Sequence, residues 1–264
     1  MKYGLIILLI ICSMVAHAQK PPNKQEASIW APVNVKIDGV ANEWGKLQAH
    51  NNATDISYTL ANDEQNLYFV VQAKQIPVIS KIVAGGIRLK IQLSEDKNPS
   101  RGINISYPAY PAADGKTSYY VSTSRRADTS KKALDSLMWS NNQILDQKCK
   151  WIKITGVAAL DSIISVYNEN GIKTAQKFDR QKTYTQEIAI PLKYLNLTSD
   201  QAKFSYQIIV NGSKIGNPAQ FETLSQDAGM RAFQESFQNQ VNFNAAKQAS
   251  PTDFHGEYTL AKKP

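Results

Sequence analysis

Ile87-Arg88-Leu89-Lys90-Ile91-Gln92-Leu93 alternates apolar and polar residues without a break. A strand turns successive side chains to opposite faces, so Ile87, Leu89, Ile91 and Leu93 are expected to face a core and Arg88, Lys90 and Gln92 to face away from it. One apolar and one polar face mark an antiparallel sheet, since parallel strands are covered on both sides and read as continuous apolar runs. The same period appears on either side of this stretch. Ile56, Tyr58 and Leu60 alternate up to Asn62-Asp63-Glu64-Gln65-Asn66, and Leu67, Phe69 and Val71 alternate beyond it, which predicts a hairpin. Val33-Asn34-Val35-Lys36-Ile37 alternates into the turn pair Asp38-Gly39 and is read as another strand.

Further strands are predicted over residues 103–107, 119–123, 151–155, 162–167, 183–190, 204–211 and 256–260. Helical signals are few: a short helix over 130–138, and a single turn over 191–195 opened by Pro191. Residues 220–237 fit either a helix interrupted at Gly229 or a long loop. Many short strands with no alternating strand-helix rhythm give an all-β fold, an antiparallel β-sandwich of jelly-roll or immunoglobulin-like topology with a few short helices in insertions.

The chain has 264 residues, 42% of them hydrophobic and 20% charged, so it can bury a sizeable core. Its 13 Gly, 11 Pro and 2 Cys exclude collagen-like and disulfide-stapled classes. Lys2, the apolar run from Gly4 to Val15 and the small residues of Ala16-His17-Ala18 form the three-part pattern of a secretory leader. The expected division is a signal peptide at 1–18, a flexible lead-in at 19–28, and one sandwich domain over 29–264 with an insertion around 96–148. Cleavage near Ala18-Gln19 would deliver a secreted or periplasmic protein without a membrane span. It would also remove Cys12 and leave Cys149 without a disulfide partner, a buried structural thiol. The net charge of +8 is spread thinly, which with export argues against nucleic acid as a partner.

Val35-Lys36-Ile37-Asp38-Gly39 followed by Asn42-Glu43-Trp44 resembles the opening of the family 9-like carbohydrate-binding modules, part of the wider DOMON-like sandwich group. The resemblance continues in order along the chain. It includes the acidic turn and "NLY" strand of Asn62 to Val71, the "E-x-A-I-P" strand end at Glu187 to Pro191, and a closing strand at Phe254 to Leu260. The resemblance implies a non-catalytic sandwich that binds carbohydrate. The residues themselves read structurally: Asp38-Gly39 is turn chemistry, Trp44 a core anchor and Glu187 a satisfied polar group. Sugar-binding members carry an aromatic residue just before the strand that here begins at Ile87. Lys81 to Gly86 has none.

Carbohydrate recognition needs flat aromatic faces and planar polar groups. Arg88, Tyr107, Tyr110, Trp139 and Asn142 supply those types and form the expected ligand-binding set. No catalytic residues are assigned, since nucleophile elbows, zinc motifs, P-loops and dinucleotide fingerprints are all missing from the sequence. Asp179, Glu187 and Glu222 are the carboxylates a hydrolase would draw on. No cofactor and no metal site are assigned, although the oxygen-rich turns Asn62-Asp63-Glu64 and Glu95-Asp96 leave calcium open. The expected role is therefore a binding protein for carbohydrate or an envelope glycan. The rival is a structural or protein-docking sandwich, with an envelope protein as partner and no sugar binding.

Overall fold

The computed structural model describes residues 20–93, 102–111, 130–195, 197, 202–212 and 227–264. The expected leader with Cys12, the expected strand over 119–123, the turn Glu95-Asp96, and Glu222 lie outside the described residues.

Eleven strands form two antiparallel sheets among the described residues. They are β1 (Ala49–Asn51), β2 (Ile56–Asn62), β3 (Asn66–Ala73), β4 (Ile87–Leu93), β5 (Ile103–Ala109), β6 (Trp151–Thr155), β7 (Ile163–Ser165), β8 (Lys173–Phe178), β9 (Tyr184–Pro191), β10 (Lys203–Val210) and β11 (Thr252–Thr259). One sheet has the order β1-β2-β3-β9-β8 and the other β11-β10-β4-β5-β6-β7. The chain crosses between them after β3, β7 and β9, so β9 lands beside β3 and β10 beside β4. The expected all-β sandwich is what the chain forms.

Alternation places the core as the sequence indicated. Ile87, Leu89 and Ile91 of β4 meet Ile56, Tyr58, Leu60, Leu67, Phe69 and Val71 in one cluster of buried residues between the sheets. Tyr58 and Tyr206, from opposite sheets, join hydroxyls at 2.8 Å, so two polar atoms in the core satisfy each other.

Among the described residues three α-helices accompany the sheets: α1 (Ile76–Gly85), α2 (Lys131–Lys148) and α3 (Ala228–Ala249). The helix expected over 130–138 runs a further ten residues, from the Ser130 cap to the boundary at Cys149. Of the 220–237 region, residues 220–226 lie outside the described residues and 228–237 belong to α3, which continues through Gly229 and is capped by Asp227, whose side chain accepts from Met230 N. Helix α1 sends Ile79, Ile82 and Val83 into the core.

Two expectations are corrected. Val33–Ile37 is not a strand, because Asn34 takes a positive φ of 64° and the segment has no strand partner. It belongs instead to a strap, residues 29–47, that crosses the outer face of the five-stranded sheet. Ala31, Trp44 and Leu47 of the strap are buried with Ala61, Tyr68, Val70 and Ala189 in a second, smaller core. The lead-in is also fixed in place. Gln25 N donates to the Tyr58 hydroxyl, and the Gln25 amide donates to Leu60 O and accepts from Leu60 N, both at 2.7 Å. Gln25 thereby extends β2 with a side chain in place of a strand.

Candidate functional site

The strap is held by a buried carboxylate. On β9, Tyr184, Gln186, Ile188 and Ile190 point inward, so period two turns Thr185, Glu187 and Ala189 to the outer face. Glu187 is fully buried beneath the strap. Trp44 Nε1 donates to one carboxylate oxygen at 2.8 Å, while the backbone N–H groups of Gly39 and Asp38 donate to the other at 2.8 and 3.0 Å. All three partners are donors, which suits an ionised carboxylate. Burial raises the Glu187 pKa, and the bonds from Trp44, Gly39 and Asp38 oppose that rise. Gly39 sits at φ 79° with its would-be Cβ 2.8 Å from the backbone of Gln176, so only glycine passes here.

Beyond this clamp the outer face opens into a groove of about 870 Å³. Register fixes its floor: Tyr68 lies opposite Ala189, and Ala189 opposite Lys173, in one cross-strand row. Asn66 and Pro191 form the next row. The strap residues Val35, Lys36 and Ile37 line one part of the groove, and Glu169, Asn170 and Gly171 of the β7–β8 connection another. Glu64, Gln65, Leu192 and Lys193 complete it.

The floor is apolar and the rim is amide-rich and charged. Tyr68 donates its hydroxyl to Asp63 Oδ2 at 2.6 Å, and burial and that carboxylate push the phenol well up, so it remains a neutral donor. Glu64 is occupied by Lys263 at 2.7 Å. Among the described residues Lys36, Lys173 and Glu169 make no ion pair, and Lys193 Nζ lies over the Tyr194 ring, 4.9 Å from its centre.

A second depression, of about 740 Å³, lies between the strap, α2 and the β8–β9 turn. Its charges are already engaged. Arg180 and Asp135 pair at 3.0 Å, and Asp179 accepts from the backbone of Gln181 and Thr183.

The expected ligand-binding set does not come together. Tyr107 pairs with Ile87 in the register and so faces inward; it is buried, and its hydroxyl donates to Cys149 O. Tyr110 is half-buried and donates to Val83 O. Asn142 is a structural clamp, since its amide donates to Phe178 O and accepts from Phe178 N, as a neighbouring strand would. Trp139 is 67% exposed on α2, whose Asn142 grips β8 of the five-stranded sheet. Arg88 lies on the outer face of the other sheet and donates to Asn211 Oδ1. The period that placed Arg88 outside also placed Tyr107 inside, so the two never shared a face.

Other candidate groups have structural partners. Asp63 caps its turn through the N–H groups of Gln65 and Asn66, and Asn62 Oδ1 accepts from Tyr258 and Ala261. The oxygens with which this turn would ligate calcium are thus bonded to donors. Of the hydrolase carboxylates, Asp179 caps a turn and Glu187 holds the strap. Cys149 is buried, and burial raises its thiol pKa against weaker opposing contacts from Tyr110 and Gln176. Among the described residues no group of three His, Cys, Asp or Glu is arranged to hold a metal ion, and no helix is long and apolar enough to cross a membrane. No protein-family model matches the chain, and no curated protein is significantly similar to it.

The groove was illegible in the sequence because four separated segments contribute to it. Their one early signal was the resemblance running through Val35–Gly39, Asn62–Val71 and Glu187–Pro191, the stretches that build the strap and its floor.

Proposed function

We propose that this is an exported, non-catalytic binding protein of the cell envelope, a sandwich of the family 9-like kind, whose ligand is a glycan held in the groove beside the strap. The observation that carries this reading is the groove itself: half-buried Val35, Ile37, Pro191 and Leu192 give it apolar walls above the packed Tyr68 and Ala189, and Asn66, Asn170 and charged side chains rim it. Its volume falls within the roughly 300–1,000 Å³ of small-ligand sites. A sugar ring presents an apolar C–H face and a polar perimeter, and this lining offers the complement of both.

The protein-docking alternative is less well supported. Strand addition needs a long free edge. Strands β1 and β7 have three residues each, and the end of β8 is capped by Asn142. Strand β11 carries exposed Asp253, His255 and Glu257. The test is affinity electrophoresis of the purified protein through gels containing a panel of soluble glycans. Retardation by at least one glycan, abolished in Gln65→Trp, which fills the groove mouth from an exposed turn, is the expected result. A wild-type protein that migrates freely through every gel overturns the reading.

A further inference from the structure

We infer that the glycan is acidic, its carboxylates received by Lys36, Lys173 and Lys193; this inference rests on the groove being the binding site. The three lysines come from the strap, from β8 and from the single helical turn after Pro191, and all line the one groove. All three are exposed around the groove, so each ammonium can swing over a ligand lying in it while staying partly hydrated.

Charge bookkeeping within the groove gives the sign. Of its two lining acids, Glu64 is neutralised by Lys263, which leaves Glu169, with Asp63 behind Tyr68, against three lysines. The second depression shows the contrast, because there Arg180 and Asp135 cancel each other. Three cations gathered round one groove in excess of its acids favour a ligand that brings its own negative charge. The apolar walls argue against a small free anion, which would leave half-buried Val35, Ile37, Pro191 and Leu192 uncovered. A polymer of uronic acid rings satisfies both demands, since each ring carries one carboxylate and one apolar face.

The experiment is a calorimetric titration of the purified protein with oligogalacturonides and, separately, with the same oligosaccharides methyl-esterified. Esterification removes the charge and keeps the rings. The acid form should bind about tenfold or more tightly than the ester, the worth of one charge-assisted hydrogen bond. That preference should shrink as salt is raised to roughly 0.5 M. Lys173→Gln should weaken the acid form about tenfold and leave the ester unchanged, and Glu169→Gln should strengthen the acid form. Lys153→Gln, on the other sheet, should change neither. Equal affinity for acid and ester, or indifference to Lys173→Gln, overturns the acidic assignment while leaving the groove as a glycan site. Equal weakening by Lys153→Gln also overturns it, by showing diffuse attraction to the whole surface. If neither form binds and no neutral glycan does, both readings fall together.

Discussion

Trp44 and Glu187, 143 residues apart, meet at 2.8 Å, the indole N–H on a carboxylate oxygen that no solvent reaches. This contact and the two backbone bonds beside it fix where the strap crosses the five-stranded sheet, and therefore where the groove begins. Trp44 also packs on Tyr68, with ring centres 5.6 Å apart, so one residue links the carboxylate to the groove floor.

Replacing Trp44 by Phe keeps most of the packing and removes the donor. A hydrogen bond to a charged group contributes about 1.5–3 kcal/mol, and its loss here leaves a buried carboxylate with one fewer partner. Urea denaturation of Trp44→Phe should show a loss of at least that size. A change below about 0.5 kcal/mol would mean that the clamp is not what holds the strap.

Glu187 also makes an expected signature in pH. Its folded pKa is raised above the ordinary 4.5, so the folded chain binds this proton more tightly than the unfolded chain does. Its contribution to stability is therefore fully present below about 4.5 and is withdrawn as pH rises through the folded value. In Glu187→Gln, nearly isosteric with the protonated acid, that dependence disappears. The stability advantage of wild type over Glu187→Gln should be largest in mild acid and narrow toward neutrality. An advantage that widens with pH would show that the three donors outweigh burial.

Gln25 anchors the lead-in through bonds to Tyr58 and Leu60. Gln25→Ala should cost about 1–3 kcal/mol, because Leu60 N and O lose their partners inside the fold. Limited proteolysis should then cut the variant within residues 20–28 well before wild type. Equal cutting rates would show that other contacts suffice.

Cys149 should not react with a thiol reagent such as Ellman's reagent in the folded protein and should react fully in denaturant, because its thiol is both buried and shifted upward. Cys149→Ser should reduce stability modestly and leave glycan binding intact. Fast labelling of the native protein would contradict the inert role.

The strands that bury one face were legible because alternation reports that geometry directly: β2, β3, β4 and β10 lie close to where it placed them. The strap was misread for the same reason. Val33, Val35 and Ile37 alternate, yet Val35 and Ile37 pack on the outside of a sheet without joining a ladder, and alternation alone does not record a hydrogen-bonding partner. Helix α1 was missed because Ile76, Val78, Ile79, Ile82 and Val83 are β-branched and leave no clear polar face; Pro77 near its start and Gly86 past its end were the available signals. Strand β8 escaped because Lys173, Thr174, Gln176 and Lys177 give it almost no apolar side. The expected ligand set failed because exposed aromatic character was inferred from residue type, whereas the register turned Tyr107 into the core.

Backbone hydrogen exchange with and without a saturating acidic oligosaccharide tests most directly whether the groove beside the strap is the binding site. Slowed exchange is expected in residues 35–37, 64–66, 169–173 and 189–193, with little change along α2 or on the six-stranded sheet. Protection confined to Trp139 and its helix, or to the outer face bearing Arg88, with those four segments unchanged, would contradict it.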